Sequence, residues 1–455
     1  MVRTIVLCAS VVLFVAACSS DGNETSPKSS GGSASNANGI GGSSDVRGSG
    51  GSVSASSSGG ASAAGGAGDA GEIAVFADAL GACPIGATKV DITTEAELES
   101  ASRGEAPFAD VPAGACFFIH NSKYVSASSS VGMYVKVGGS DATHRRLFVG
   151  ESRSGVVVNG RASVDAGASH VQISNLTFDL TSYTQSGSFN TLTLLAGSTD
   201  LRVDHVTFTG DCMTGANGGH VEVDGSTDVV VEACIIEKFG RCGPNGHQDH
   251  GVYLGSGSNI TIRNNDIRGN ASRGVQFNTE GGSYGTLDNI VIERNRIHDN
   301  GHADYEDGIV MNATGTGTIS NVLIQRNLIY GNYYSGIRES GGESSSVVIR
   351  NNTVYRNGVA STALGRSELN IDDVGSGAGT TVNRNIIVAA NKILNDCYDS
   401  QPRGYALVDN LVQGVSPTGT AANCISGSVV ETASFVDATS GDFHTVGTDY
   451  GAYGP

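Results

Sequence analysis

The sequence predicts an all-β solenoid, in which short strands stack coil upon coil along one axis. One observation is a phrase that recurs along the middle of the chain as SNITIRNNDIRGN (258–270), NIVIERNRIHDN (289–300), NVLIQRNLIYGN (321–332) and SVVIRNNTVYRN (346–357). Another is that Val- and Ile-rich strands in every copy are separated by Asn and Gly, as in repeats that bury their apolar faces only against their neighbours. The sequence also lacks the LxxLxL phrase of leucine-rich repeats and any helical period long enough for helix-pair repeats.

Alternation within the first of these phrases separates inward from outward side chains. Ile260, Ile262 and Ile267 are spaced as a strand, a turn and a second strand that point into one core. Arg263 and Asp266 are expected to point outward. Each phrase therefore predicts two strands of one coil and the bend that joins them.

The bend between the two strands is occupied by Asn in most copies of the phrase. Aligning the copies places nine residues at this position, with successive separations of 25 to 33 residues: Leu176, Val206, Cys234, Asn265, Asn295, Asn327, Asn352, Asn385 and Asn410. An amide side chain can donate to one neighbouring coil and accept from another. We therefore expect the Asn side chains to form a buried, hydrogen-bonded ladder.

With these repeats the chain resembles the right-handed parallel β-helix, the pectate-lyase-type solenoid, over about residues 75–445. The resemblance and the ladder spacing predict about nine or ten coils. Residues 75–160 resemble the cap and opening coils of secreted β-helix polysaccharide lyases, residues 161–415 hold the repeats, and residues 416–455 resemble the closing tail of bacterial extracellular β-helix proteins. The fold does not identify a function, because lyases, hydrolases, epimerases, tailspikes and adhesins share it.

The first 18 residues have the pattern of a secretion signal, with an apolar run at 5–17 that is too short to cross a membrane as a helix. The phrase VAAC that ends at Cys18 resembles the lipobox of bacterial lipoproteins. The resemblance implies lipidation of Cys18, and Ser19 implies a location in the cell envelope at the outer membrane. The alternative is an ordinary signal peptide with a cysteine by chance. Residues 19–70 are rich in Gly and Ser and are expected to form a disordered linker.

The formal net charge of −18 argues against nucleic acid as a partner. It also argues against binding a polyanion unless a local cationic patch or a metal ion offsets it. Trp is absent, which disfavours a sugar-binding module built on Trp platforms. We expect one elongated, monomeric domain that contacts the membrane only through its N-terminal lipid.

Seven cysteines remain once Cys8 and Cys18 are set aside with the signal, an odd number for an exported protein. Cys212 and Cys242 lie one coil apart after equivalent strands, so stacking predicts a disulfide between them. Cys234 is at the inward ladder position and is predicted to be a buried, unpaired thiol. The remaining pairs are then Cys83 with Cys116 and Cys397 with Cys424. The spacing includes no CxxC-type metal pattern.

A second set of strands lies between the repeated phrases, and its outward positions carry the reactive side chains. Stacking these strands in parallel aligns one outward column of Thr193, Glu222, Tyr253, Gln276, Val310 and Arg338. A second column consists of Asn190, His220, His250, Arg273 and Asp307. The densest cluster is the phrase GHQDHGVY (246–253), which adds His247 and Asp249 to His250 and Tyr253. This phrase lies one coil from the column members before it and one coil from those after it.

From these columns we predict His250, Tyr253 and Arg273 as catalytic residues, because proton transfer needs a group that titrates near neutral pH beside a stabilising charge. The predicted substrate-binding residues are His220, Glu222, His247, Asp249, Gln276 and Arg338. Two alternatives stay open. Two histidines and an aspartate can bind a transition metal, and polar turn residues can coat the end of a strand without forming any site.

Acidic side chains at Asp304, Glu306 and Asp307 are candidate ligands for Ca²⁺, which prefers hard oxygen atoms, and Asp372 and Asp373 form a second acidic run. Runs of this kind are also common in solvated loops. Ca²⁺ is the one cofactor predicted.

The favoured function is a polysaccharide lyase that cleaves a uronic-acid-containing glycan by β-elimination. His250 or Tyr253 serves as base and acid, and Arg273 and Gln276 stabilise the developing charge. A glycoside hydrolase is the first alternative, but the polygalacturonase-type set of NTD, DD, GHG and RIK is missing apart from DHG at 249–251. HQDH only distantly resembles the DPHD phrase of alginate epimerases. The second alternative is a non-catalytic surface protein that binds glycans or a protein partner.

Overall fold

A computed structural model describes residues 81–125, 131–181, 188–210, 217–218, 221–240, 249–279, 285–302, 306–313, 317–340, 344–361, 366–371, 380–394, 407–414, 425 and 427–446. All of them belong to one compact unit, Gly65–Pro455. The described part is almost entirely β-strand, and the strands pair in parallel from coil to coil. The predicted fold class, an all-β parallel solenoid with an Asn ladder, is confirmed.

Three faces make up each coil, and strands are numbered β1–β34 in chain order. Face A contains the first strand of each repeated phrase and the strands stacked on it: β1 (Lys89–Ile92), β2 (Cys116–Ile119), β5 (Arg146–Gly150), β8 (Val171–Ser174), β12 (Thr199–Asp204), the second halves of β15 (Val221–Glu232) and β17 (Val252–Arg263), β20 (Leu287–Glu293), β23 (Ile319–Gln325), β26 (Ser344–Arg350), β29 (Thr381–Asn383), β31 (Leu407–Gln413) and β32 (Gly427–Val430).

Face B follows face A after the bend and contains the second strand of each phrase. Its strands are β3 (Ser122–Val125), β6 (Val156–Asn159), β9 (Thr177–Asp179), β13 (Thr207–Thr209), β16 (Ile235–Glu237), β18 (Asp266–Arg268), β21 (Arg296–His298), β24 (Leu328–Tyr330), β27 (Thr353–Tyr355) and β30 (Ile386–Val388).

Face C contains the strands between the phrases, which the sequence predicted as the chemistry-bearing set. Its strands are β4 (Val131–Val135), β7 (Arg161–Val164), β11 (Leu192–Leu195), the first halves of β15 and β17, β19 (Val275–Asn278), β22 (Ile309–Asn312), β25 (Ser335–Ser340) and β28 (Ser367–Ile371). Outside the three faces, β10 (Ser188–Phe189) pairs with β14 (Asn217–Gly218), and β33 (Phe435–Asp437) pairs antiparallel with β34 (Asp442–Thr445).

The core consists of the inward Val, Ile, Leu and Phe side chains of all three faces, packed in one continuous cluster along the solenoid axis. Ile260, Ile262 and Ile267 are fully buried in it, as predicted. Because each coil buries its apolar side chains only against the coils above and below, the stack fixes which strand positions point outward.

Each bend between faces A and B begins with a residue in the left-handed backbone conformation. The residue before every ladder position has φ between 52° and 58°, and it is Asn, His, Ala, Arg or Asp rather than Gly. A left-handed conformation costs about 1–2 kcal/mol for a residue with a side chain. The hydrogen bonds of the ladder residue that follows offset this cost.

The Asn ladder is continuous from Asn265 to Asn410. Asn265 Nδ2 donates to Asn295 Oδ1 at 2.9 Å and to the Val231 carbonyl at 3.0 Å, and the same pattern repeats in the coils that follow. In the three preceding coils the ladder position is apolar or Cys. There the buried guanidinium of Arg153 donates to the bend carbonyls of His205 and Ala233, at 2.8 and 3.2 Å.

A second ladder, which the sequence reasoning missed, lies five residues after the first at the end of face B. Its members are Asn270, Asn300, Asn332 and Asn357, linked Nδ2 to Oδ1 at 2.9 to 3.0 Å. The ladder ends on the carboxylate of Glu368, which accepts from Asn357 Nδ2 at 2.7 Å. An Asn is the last residue of each of the four repeated phrases, so the sequence repeat already indicated this second ladder.

The N-terminal part adds the helix α1 (Glu95–Arg103), which was not predicted. Thr94 caps it in a reciprocal box, since the Thr94 hydroxyl accepts from the Glu97 amide and the Glu97 carboxylate accepts from the Thr94 amide. Gly104, with φ of 67°, ends it in the left-handed conformation. Leu98 and Ala101 are buried, so the helix packs one apolar side onto the first coils.

Cys83 and Cys116 form the predicted disulfide, with Cα atoms 5.8 Å apart. Cys234 is the predicted buried free thiol, and burial raises its pKa to about 12. The other predicted pairs, Cys212 with Cys242 and Cys397 with Cys424, lie outside the described residues, as does Cys18. Within the described ranges, no helix has the length and apolar character that a membrane span requires.

Candidate functional site

The outward column predicted on face C is present in the predicted register. Successive coils pair Thr193 with Glu222, Glu222 with Tyr253, Tyr253 with Gln276, Gln276 with Val310 and Val310 with Arg338. Pairing of Arg338 with Asn370 extends the column by one coil. Parallel strands in a sheet lie about 4.8 Å apart, so the column places one side chain at each such interval. The side chains of Tyr253, Gln276 and Val310 are nevertheless buried.

His250 and Tyr253 lie against each other at the centre of this column. Their rings stack with centroids 5.7 Å apart and planes inclined by 12°. Only 3% of His250 and 9% of Tyr253 is exposed, so both rings are held in place by packing. The Tyr253 hydroxyl oxygen also accepts a hydrogen bond from Asn278 Nδ2 at 2.8 Å. The structure therefore brings these two predicted site residues into direct contact.

Two arginines flank the ring pair toward the C-terminal coils. Arg273 Nη1 donates to Gln276 Oε1 at 3.0 Å, which orients the guanidinium one coil beyond Tyr253. Arg338, about one-fifth exposed, lies 4.0 Å from the fully buried carboxylate of Asp307. The carboxylate of Asp307 therefore partly neutralises the charge of Arg338, and the guanidinium of Arg273 contacts the amide of Gln276.

The carboxylates predicted on this face are mostly enclosed. Glu222 accepts from Asn190, and burial, followed by the charge of Asp224, raises its pKa above the usual range for Glu. Asp249 has no exposed surface, and it packs so closely on Gly240 that a Cβ at Gly240 would lie 2.0 Å from the Asp249 Cβ. Glu222 is therefore the carboxylate with the environment of a proton donor.

Comparison with known families identifies the architecture described above. The family model described as "Right handed beta helix region" matches residues 119–321 and 245–441, more than half of the chain. The chain belongs to the right-handed β-helix family. No curated protein sequence matches it.

Solved structures similar to this β-helix protein include enzymes that act on polysaccharides. A rhamnogalacturonan lyase matches with a TM-score of 0.50 and 13% identity, over 80% of this chain and 94% of its own. The pectate lyase Pel9A matches at 0.47 and 14%, over 82% and 88%. The A-module of the mannuronan C-5 epimerase AlgE4 of Azotobacter vinelandii matches at 0.45 and 17%, over 73% and 94%. The likeness to the rhamnogalacturonan lyase, at 13% identity, shows the fold alone, so the activity of this β-helix has to be argued from its own residues.

The predicted Ca²⁺ ligands on this β-helix are only partly described. Glu306 Oε2 accepts from the His302 amide at 2.6 Å, and Asp307 faces Arg338. Asp304, Asp372 and Asp373 lie outside the described residues. Among the residues that are described, no three His, Cys, Asp or Glu side chains converge as metal ligands. The Ca²⁺ site therefore stays a prediction that depends on Asp304. His220 and His247 are likewise outside the described part of the chain.

Sequence reasoning missed a polar line two positions after the face C column. Asn278 pairs with Asn312, and Asn312 pairs with Ser340. Asn312 Nδ2 donates to Asn278 Oδ1 at 3.5 Å, and Ser340 Oγ donates to Asn312 Oδ1 at 3.2 Å. The line ends at Tyr253. Its sequence signal is the outward residue that follows each column member by two, which strand periodicity alone identifies.

Asn370 is the second residue that was missed. It is 1% exposed and follows Arg338 in the outward column, yet within the described part of the chain neither its Oδ1 nor its Nδ2 has a hydrogen-bond partner. A buried amide without partners is costly and is therefore uncommon in native proteins. Among the described residues, the column thus ends in a cation beside an amide that makes no hydrogen bond.

Proposed function

We propose that face C from Glu222 to Arg338 binds an extended, uronic-acid-containing polysaccharide and cleaves it by β-elimination. The observation that carries the proposal is the stacked His250–Tyr253 pair with Arg273 and Gln276 one coil away. Two groups able to transfer protons lie beside a cation and an amide, which is the set that this reaction needs.

An extended chain suits the face because the column repeats at each coil. Side chains at equivalent positions recur about every 4.8 Å along the axis, so consecutive coils can meet consecutive sugars. The fold supports this use in a general way, since the rhamnogalacturonan lyase has the same architecture.

In the proposed reaction, a base removes the proton from the carbon beside the uronate carboxylate. The electron pair left on that carbon forms a double bond, the bond to the neighbouring glycosidic oxygen breaks, and an acid protonates that oxygen. His250 and Tyr253 supply the base and the acid. Arg273, oriented by Gln276, stabilises the negative charge that builds up on the carboxylate.

The net charge of −18 opposes a polyuronide, so local cations are essential to the proposal. Arg273 and Arg338 supply positive charge to the column, and the predicted Ca²⁺ would add to it. Asp307 offsets part of the Arg338 charge, so both arginines are needed for carboxylate recognition.

The direct test is to incubate the purified protein with a panel of polyuronides, with and without Ca²⁺, and to follow the absorbance of the unsaturated uronate product. Proton-transfer groups contribute about 10²- to 10⁴-fold to rate. His250→Ala and Arg273→Ala should therefore each lower turnover at least about a hundredfold. Arg263→Ala is the matched control, because Arg263 lies on face A in an ion pair with Glu232.

Full activity of both site variants would contradict the site assignment. Glycan binding without product would favour the non-catalytic alternative. New reducing ends without unsaturated product would favour a glycoside hydrolase, for which Glu222, with its raised pKa, is the candidate general acid.

A further inference from the structure

The hydrogen bonds along the polar line on face C have one direction, and they lead to the Tyr253 hydroxyl oxygen. Ser340 Oγ donates to Asn312 Oδ1, Asn312 Nδ2 donates to Asn278 Oδ1, and Asn278 Nδ2 donates to Tyr253 Oη. Asn278 reaches Tyr253 diagonally, since the residue paired with Tyr253 is Gln276, two positions before Asn278. Each donor in the line thus points toward the ring pair.

The direction matters because an asparagine side chain can turn either its N–H group or its carbonyl oxygen toward a phenol. When the N–H group faces the phenol oxygen, it stabilises the phenolate, since a hydrogen bond donated to a charged form favours that form. When the carbonyl oxygen faces the phenol instead, it accepts from the phenol O–H and favours the neutral form. Asn312 Nδ2 donates to Asn278 Oδ1, and this hydrogen bond favours the first orientation of the Asn278 amide.

We propose that Asn278 is a positioning residue that favours the phenolate of Tyr253 and so makes Tyr253 the base of the pair. The role in β-elimination rests on the function proposed above, whereas the effect on ionisation does not. His250, stacked on Tyr253, is then the acid.

The proton balance of the reaction follows from this assignment. The Tyr253 phenolate takes the proton from the carbon beside the uronate carboxylate and becomes the neutral phenol. The electron pair of the broken C–H bond forms the carbon–carbon double bond, and the bond to the glycosidic oxygen breaks. The departing oxygen takes a proton from the His250 imidazolium. Exchange of one proton with solvent at each residue restores the starting state, and no oxidant or reductant is required.

The test observes Tyr253 directly, without a substrate. The purified protein is labelled with tyrosine carrying ¹³C at the ring carbon bonded to oxygen, the Tyr253 signal is assigned with Tyr253→Phe, and its midpoint of ionisation is measured by NMR. Asn278→Ala should raise the midpoint by about one pH unit, the size expected for loss of one hydrogen bond. Asn278→Asp should raise it further, because a carboxylate accepts from the phenol and repels the phenolate.

Two further variants separate orientation from structural damage. Asn312→Ala leaves Asn278 in place but removes the donor that orients it, so it should raise the midpoint by less than Asn278→Ala. Asn289→Ala is the matched control, because Asn289 is an exposed asparagine of β20 on face A whose side-chain amide donates to Asn259 at 2.8 Å, and it should leave the midpoint unchanged. Far-UV circular dichroism confirms that each variant is folded.

The proposal is overturned if the midpoint is the same in wild type, Asn278→Ala and Asn278→Asp, or if Tyr253 does not ionise in the wild type before the protein unfolds in alkali. Failure of the proposed function has a different signature, namely the expected midpoints with no cleavage of any polyuronide. Where a substrate is cleaved, the midpoint and the pH at which turnover reaches half its maximum should move together in Asn278→Ala.

Discussion

At the scale of single residues, this solenoid places ionisable side chains where water does not reach, and Glu368 is the clearest case. Its carboxylate has no exposed surface and closes the second Asn ladder by accepting from the Asn357 amide at 3.1 Å and from Asn357 Nδ2 at 2.7 Å. Burial raises the pKa of Glu368 to about 8, although the hydrogen bonds from Asn357 oppose the rise. Glu368 therefore keeps its proton at neutral pH in the folded protein, where an unfolded chain would lose it.

This difference predicts that stability depends on pH in a defined window. The pKa of Glu368 is raised above its ordinary value of 4.5, so its contribution to stability is fully present below that value and is lost as pH rises through about 8. The loss is on the order of a few kcal/mol. Glu368→Gln, which stays neutral, should flatten this dependence in urea unfolding measured from pH 5 to 9. An unchanged slope would contradict the prediction, and Glu431→Gln, at an exposed position, is the control.

At the scale of elements, the positions of strands that alternate inward and outward residues could be predicted from the sequence. The positions of elements that depend on capping or on special backbone angles were harder to predict. The register of face C followed from period-two alternation once the repeats were aligned. Helix α1 was missed although Thr94 and Glu97 have the spacing of a capping box, because nothing near it repeats. The second ladder was missed although an Asn ends every repeated phrase, because an Asn at the end of a strand also resembles an ordinary turn residue.

Removal of one rung from the first ladder should weaken the whole stack. Asn327 receives hydrogen bonds from the Asn295 amide and side chain and donates to Asn352 and to the Ile292 carbonyl. Asn327→Leu leaves these buried groups without partners, at about 1–3 kcal/mol for each group that stays unsatisfied. We expect a lower melting temperature, measured by differential scanning calorimetry. Thr381→Leu, at an exposed position of β29, should change it little, and equal melting temperatures for the two variants would contradict the prediction.

At the scale of the whole molecule, the end of the described chain packs on face B, which carries none of the predicted catalytic residues. Strands β33 and β34 form a hairpin whose Phe443 packs on Tyr330 and Tyr355 of face B, with ring centroids 5.0 Å apart in each case. His298 stacks on Tyr330 at 4.6 Å and bonds to Asp266 and Asp299. Burial lowers the pKa of His298, but these two carboxylates raise it more, so its net pKa is above the usual value. The hairpin thus covers face B at β24 and β27, and face C is the surface that we propose to bind a glycan.

The location of the molecule remains a prediction from its first residues. We propose that Cys18 carries a lipid that anchors the protein in a bacterial envelope, with residues 19–70 as a linker. Cys18→Ala should move the protein from the membrane fraction to the soluble fraction, and globomycin should block processing of the wild type. A mature N-terminus at a position other than Cys18 would contradict the proposal. Cys8→Ala, within the same segment, is the control.

The sequence by itself determined the solenoid, the ladder from Asn265 to Asn410, the disulfide between Cys83 and Cys116 and the column that brings Tyr253 next to Gln276. The solenoid, the ladder and the column follow from a repeat, because stacking identical coils converts a separation along the chain into a neighbour in space. The disulfide followed instead from elimination among the remaining cysteines. Tertiary structure alone decided which column members are enclosed and what they contact. The stacking of His250 on Tyr253, the bond from Asn278 and the burial of Asp249 depend on side-chain directions and on packing between coils, and periodicity specifies neither.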